Sequence, residues 1–139
     1  MSTLSTFILH SKLEQDSLFI CRLKLAQVRL VLDANYPWCL LIPEVNQVTE
    51  LTDLTHQQFV QLQDESLQLQ RAMQTVFKPD KMNIAMLGNI VNQLHIHHIA
   101  RYQYDAAWPS PVWNVVKKKT YGQDQLTQMV ELIQSKLTN

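Results

Sequence analysis

The sequence predicts an α+β fold, an antiparallel sheet of about five strands with a long helix and a C-terminal helix packed on it. Three observations lead there. Three short apolar runs with short links fill the first third of the chain, and links that short join antiparallel neighbours. A long, capped amphipathic stretch follows from Thr55, and two further apolar runs and a second amphipathic stretch come after it. The 139 residues suit one domain (1–139), with a core over about 18–105 and a Trp/Pro segment plus helix over 106–139. A globule of this size buries roughly two-thirds of its unfolded surface and needs no disulfide or metal staple.

Residues 7–15 read as a short helix with Leu13 and Phe7 or Ile8 inward, broken at Asp16-Ser17. Residues 18–24 and 28–33 read as strands. In the second, Val28, Leu30 and Leu32 alternate with Arg29 and Val31, and Leu25-Ala26-Gln27 suits a hairpin link. Asp33-Ala34-Asn35-Tyr36-Pro37 is a turn by composition. The unbroken apolar run 38–42 predicts a central strand, ended by Pro43. Thr55 with Gln58 makes a capping box, and Leu54 with Phe59 a hydrophobic staple. Phe59, Leu62, Leu69, Met73, Val76 and Phe77 then keep helical spacing as far as Lys78-Pro79. Residues 82–87 predict a fourth strand. Gly88-Asn89 is a turn or bulge, where glycine supplies unusual dihedrals. A fifth strand runs over 93–102. Trp108-Pro109-Ser110-Pro111-Val112-Trp113 follows, and Leu126, Met129, Val130, Ile133 and Leu137 form the stripe of the last helix.

Lys plus Arg is 12 and Asp plus Glu is 12, so there is no net charge to draw nucleic acid or an anionic membrane, and an anionic ligand must be held locally. The Lys117-Lys118-Lys119 run reads as a solvated loop. Cys21 and Cys39, each in an apolar run, read as small buried hydrophobes. No basic segment followed by a long apolar run marks a signal peptide or a membrane span, so the expected compartment is a reducing cytoplasm.

Chemistry concentrates in Gln93-Leu94-His95-Ile96-His97-His98-Ile99, which holds three of the five histidines. Strand side chains change face at every residue, so Gln93, His95, His97 and Ile99 share one face, and Leu94, Ile96 and His98 the other. His95 and His97 then stand about 6.5–7 Å apart along one side of a strand. His98, beside apolar neighbours, reads as structural, and His10 and His56 carry no signal. A same-face imidazole pair suits metal binding, general acid–base work or nucleophilic catalysis. For a metal, no Cys or close acidic residue supplies an obvious third ligand; Asp80 and Asp105 are no more than candidates, and His98 would need a bulge to join.

Residues 93–101, Gln-Leu-His-Ile-His-His-Ile-Ala-Arg, resemble the signature of the histidine triad (HIT) family, His-x-His-x-His followed by apolar residues. The resemblance extends to the strand 38–43 ending in proline, the long helix from Thr55, and Gly88-Asn89 where the family commonly has Gly-Gln; it spans about residues 18–105. Tyr36-Pro37-Trp38 and the tail 105–113 resemble a bacterial branch close to the diadenosine polyphosphate hydrolases. The resemblance implies a nucleotidyl hydrolase or transferase acting on a phosphoanhydride or phosphoramidate through a covalent nucleotidyl-histidine. His95 matches the nucleophile and His97 the histidine that contacts the phosphate or leaving oxygen. Gln93 matches the supporting first triad position, Asn89 a phosphate-contacting amide, and Asp33 or Asn35 a ribose contact. It implies a homodimer, with Trp108 or Trp113 reaching the partner or covering the sheet, and demands no metal or other cofactor. The chain departs from the pattern at Gln93 (in place of His), at Ile90 (in place of Ser or Thr), at Asn89 (one methylene shorter than Gln) and at Asn114 (in place of Gly). Two other classes stay open: a nucleotide-binding module with little turnover, and a protein holding a metal on His95, His97 and His98.

Overall fold

The computed structural model describes residues 6–137. In chain order it gives α1 (Ser11–Asp16), β1 (Ser17–Arg22), β2 (Ala26–Val31), β3 (Trp38–Pro43), a 3-10 turn (Leu51–Asp53), α2 (His56–Phe77), β4 (Lys81–Ala85), β5 (Ile96–Arg101) and α3 (Gln123–Leu137). The five strands form one antiparallel sheet in the order β1-β2-β3-β5-β4. The class expected from sequence is the one observed. All six residues of β3 are buried, as an unbroken apolar run in the middle of a sheet requires.

The pleat divides the core in two. On one face Val28, Leu30, Cys39, Leu41, Ile96 and Ala100 meet Leu62, Leu69 and Met73 of α2 and Ile133 of α3. On the other, Trp38, Leu40, Ile42 and Ile99 pack with Leu13 of α1, Tyr36, Val91 and Val112. The site described below sits on this second face. Cys21 and Cys39 are buried free thiols, as their apolar settings imply. The α2 capping box is present in both directions: Gln58 N donates to Thr55 Oγ1 at 3.1 Å, and Thr55 N to Gln58 Oε1 at 2.9 Å.

The fourth strand is Lys81–Ala85 and not 82–87, the first two strands end two residues early, at Arg22 and Val31, and three further boundaries differ from the expectation in ways that bear on the core or the site. The first helix begins at Ser11, where the His10 side chain accepts the Lys12 amide as an N-cap, and not at Phe7. The first hairpin turns over residues 23–25, so Ala26 and Gln27 belong to the ladder. Its cause lies on α2: fully buried Glu65 accepts Ala26 N at 2.8 Å and Leu25 N at 2.9 Å, which fixes the turn there. Glu65→Ala would leave two amides unpaired against the core. It is expected to cost about 3 kcal/mol, read as a lower urea midpoint at unchanged slope. Last, the fifth strand starts at Ile96, so Gln93 and His95 lie in the approach to the ladder. Gly88 has no positive φ; its lack of Cβ serves a close approach, since a Cβ there would meet the Val91 carbonyl oxygen at 3.2 Å. Among the described residues, no helix is long and apolar enough to cross a membrane.

Candidate active site

β5 is held between β3 and β4, with His97 opposite Leu40 on one side and Ala85 on the other. This double pairing makes the histidine strand a rigid support. The alternation read from sequence holds: His97 faces the Trp38 side of the sheet, and His98 faces α2, where its Nε2 meets Ser66 Oγ at 2.8 Å. The three histidines therefore do not converge. Among the described residues, no three His, Cys, Asp or Glu side chains gather as a metal site.

The partners of the two site histidines fix their tautomers. His95 Nδ1 lies 2.7 Å from the Gln93 carbonyl oxygen. A carbonyl only accepts, so Nδ1 carries the hydrogen and Nε2 keeps a lone pair. His97 Nδ1 lies 2.9 Å from Trp38 Nε1. An indole nitrogen only donates, so here Nδ1 accepts and Nε2 carries the hydrogen. The rings are 4.9 Å apart between centroids and tilted by 72°. Side by side, the pair offers one nucleophilic nitrogen and one hydrogen-bond donor.

Both rings line an open cleft of about 410 Å³, together with Trp38, Leu40, Val31, Trp113, Asn114, Lys12, Asp16 and residues 87–91. Trp113 stands edge-on to His97 at 5.0 Å and to Trp38 at 5.7 Å. Burial lowers the pKa of His95, opposed by the Gln93 carbonyl and reinforced by the nearby His10. Burial, with His95 and His98 as neighbours, pushes His97 down to about 3. Both imidazoles are neutral at pH 7.

The HIT domain family model matches residues 12–104. The chain belongs to the HIT family. A histidine triad protein from Bradyrhizobium japonicum is 41% identical, with a TM-score of 0.94 over 96% of this chain and 99% of that one. One from Marinobacter aquaeolei is 39% identical, with a TM-score of 0.92 over 96% and 97%. One from Sinorhizobium meliloti is 35% identical, with a TM-score of 0.92 over 95% and 98%. The comparison with curated proteins gives no match.

Against this HIT framework the expected site residues divide. His95, His97 and Asn89 meet at the cleft. Gln93 reaches His95 by its backbone carbonyl, while its side chain is turned to the N-terminal segment: Oε1 accepts His10 N at 2.7 Å and Nε2 donates to Ile8 O at 2.8 Å. Asp33 and Asn35 are not in the cleft lining. Asp33 Oδ1 accepts Asn35 N, Asn35 Nδ2 and Lys119 N, and Asn35 Nδ2 also donates to the Lys117 carbonyl. The turn and the lysine run are thus stitched together, with the lysine side chains exposed. The acidic group that does line the cleft is Asp16, paired with Lys12 at 2.9 Å. Their i, i+4 spacing was visible in the sequence, but nothing local tied it to the histidines.

Two of the departures in this HIT chain acquire physical content. Asn114 has φ 61°, a left-handed conformation that glycine adopts freely and asparagine tolerates. Ile90 lines the cleft mouth and is 89% exposed, an apolar side chain standing in solvent. Trp113 packs on His97 of the site, and Trp108 lies over Arg101.

Proposed function

We propose that the chain is a nucleotidyl hydrolase or transferase that works through a covalent intermediate on His95. The observation that carries this reading is the pair of Nδ1 contacts at the cleft, His95 to the Gln93 carbonyl and His97 to the Trp38 indole, which assign the two rings opposite tautomers. His95 Nε2 attacks the α-phosphorus, and the bond from phosphorus to the leaving oxygen or nitrogen breaks. The charge formed on the ring is stabilised at Nδ1–H by the Gln93 carbonyl. His97 Nε2–H donates to a phosphate oxygen, in the manner of an oxyanion contact. Water then attacks the phosphorus, the P–N bond to His95 breaks, and the nucleoside monophosphate leaves. Asn89 adds an amide at the phosphate. Val31, Leu40 and Trp113 give the base apolar walls, and Asp16 is placed for a sugar hydroxyl. Asp33 and Asn35, the ribose contacts implied by resemblance, act from behind by bracing the strap that follows Trp113.

Substrates of the dinucleoside polyphosphate type, a cytoplasmic setting and a homodimer belong to the same reading. The dimer is supported by β4, an edge strand beside which Ile84, Met86, Leu87 and Ile90 stand exposed. A nucleotide-binding module with little turnover is the competing reading, and Ile90 favours it, because an exposed apolar side chain stands where a phosphate donor was expected.

The test is turnover of diadenosine tetraphosphate and an adenosine phosphoramidate, compared with equilibrium binding of the same compounds. Tight binding without turnover across both would leave the module. The pH profile is a further check. The attacking imidazole must be neutral, and its pKa lies below the ordinary 6.5 of histidine. The acid limb of kcat/KM is therefore expected to be centred below pH 6.5, with a plateau on its alkaline side. A fall centred at or above 6.5 would contradict the buried-nucleophile assignment.

A further inference from the structure

We infer that Trp38 holds His97 as a fixed Nε2–H donor with no second proton to give, so that the site selects substrates whose leaving group departs as an anion. The inference rests on the nucleotidyl-transfer reading above and narrows it from phosphoanhydrides or phosphoramidates to phosphoanhydrides.

The geometry is the 2.9 Å contact from Trp38 Nε1 to His97 Nδ1, buried where β3 lies beside β5. Trp38 is 8% exposed and its ring is boxed by Tyr36 at 6.4 Å and Trp113 at 5.7 Å, so it does not turn aside. Indole has one N–H and no acceptor. Protonating His97 at Nδ1 would set two N–H groups against each other. An imidazolium at His97 therefore requires breaking this contact. The remaining titratable groups lining the cleft are His95, Lys12 and Asp16, with His10 near His95 and His98 on the opposite face behind His97, and the Lys12–Asp16 pair is internally neutralised. His97 Nε2 has no hydrogen-bond partner among the described residues and is not a sealed atom, so it faces the cleft.

The chemical consequence follows from proton balance. When the P–O bond of a phosphoanhydride breaks, the electron pair leaves on a phosphate oxygen. That group is stable as an anion near neutral pH, its last pKa being about 6. It needs a hydrogen bond, which neutral His97 supplies, and no proton. When the P–N bond of an alkyl phosphoramidate breaks, the pair leaves on an amine nitrogen that must gain a proton. His97 could provide it only by becoming an imidazolate held against an indole N–H, inside a site that already disfavours charge. Trp38 is thus a positioning residue that acts through His97.

The experiment uses the full chain with nitrogen-15 histidine, and Trp38→Phe beside it. Two-bond proton–nitrogen spectra of the unmodified protein are expected to show His97 as the Nε2–H tautomer and His95 as the Nδ1–H tautomer. Kinetics with diadenosine tetraphosphate and an AMP alkylamidate are expected to favour the anhydride in kcat/KM. In Trp38→Phe the tautomer preference of His97 relaxes, and the ratio shifts towards the amidate by tenfold or more. Finding His97 as Nδ1–H or as imidazolium in the unmodified protein would overturn the inference, whether or not the variant folds. So would an unchanged substrate ratio in a folded Trp38→Phe. Turnover of neither compound, with both tautomers as expected, would instead overturn the proposed function.

Discussion

His95→Ala is expected to abolish nucleotide turnover, by about 10⁴-fold or more in kcat, while nucleotide affinity changes little. The asymmetry follows from what the residue does. Its Nε2 is the one cleft nitrogen whose lone pair is set free by a carbonyl on the far side of the ring, the Gln93 oxygen at 2.7 Å. Alanine removes the attacking atom but leaves the apolar walls, Asn89 and His97 in place. His97→Gln retains an N–H and is expected to cost only about 10²–10³, the usual worth of one oriented donor in such a site. The measurement is a steady-state rate with diadenosine tetraphosphate, followed by a rapid denaturing quench at alkaline pH, where a phosphorus–histidine bond survives, with radiolabelled nucleotide. Label carried by the unmodified protein and absent from His95→Ala would match the covalent route. Equal turnover by the variant would eliminate that route and leave the cleft a binding site whose chemistry lies elsewhere.

The parts of this machinery that were legible in the sequence are those governed by short-range periodicity. Strict alternation put His95 and His97 on one face and His98 on the other, and Ser66 on α2 confirms the division. The Thr55–Gln58 box fixed the start of α2 to the residue, because both partners lie within one turn. What stayed hidden depends on contacts across long sequence separations. The Gln93 amide faces neither site imidazole because the backbone groups of His10 and Ile8, more than 80 residues earlier, occupy both of its ends. Asp33 is withdrawn from the cleft by the amide of Lys119, 86 residues later. The link of the first hairpin moved because a carboxylate of α2 captured its amides. Trp38 was read as a strand residue; its use as a tautomer lock depends on a partner 59 positions away. Each of these is a choice of hydrogen-bond partner, and composition or spacing near the residue does not encode it.

The largest loss of stability is expected from Arg101→Met, at about 4 kcal/mol and on the order of 10 °C in Tm. Arg101 is 1% exposed, yet every arm of its guanidinium is used. Nε and Nη2 form a fork on Asp105 at 2.8 and 3.0 Å, Nη1 donates to Asn83 Oδ1, and Nη2 donates to the Ser110 carbonyl. The rings of Tyr36 and Trp108 lie against the guanidinium at 5.6 and 5.7 Å. Removing it strands a buried carboxylate, which is why one partner costs more than the pair. The double variant Arg101→Met with Asp105→Leu is accordingly expected to recover part of the loss. Denaturant midpoints of the three proteins decide this, and a double variant weaker than Arg101→Met would contradict it. Acid should act on the same pair. Burial alone would raise the Asp105 pKa, but the Arg101 hydrogen bonds and the amides of Tyr102 and Trp108 outweigh it and hold the carboxyl below the usual range. A carboxyl depressed by folding contributes stability that is complete above its unfolded pKa of about 3.9. That share is lost as pH falls through the lower folded value, so the pair is intact throughout the range in which His95 works. Its reach extends to the chemistry, because Arg101 and Asp105 hold Ser110 and Trp108 and thereby the segment that lays Trp113 against His97. A folded double variant should therefore keep its sheet and lose nucleotide affinity, with the loss appearing in KM before kcat.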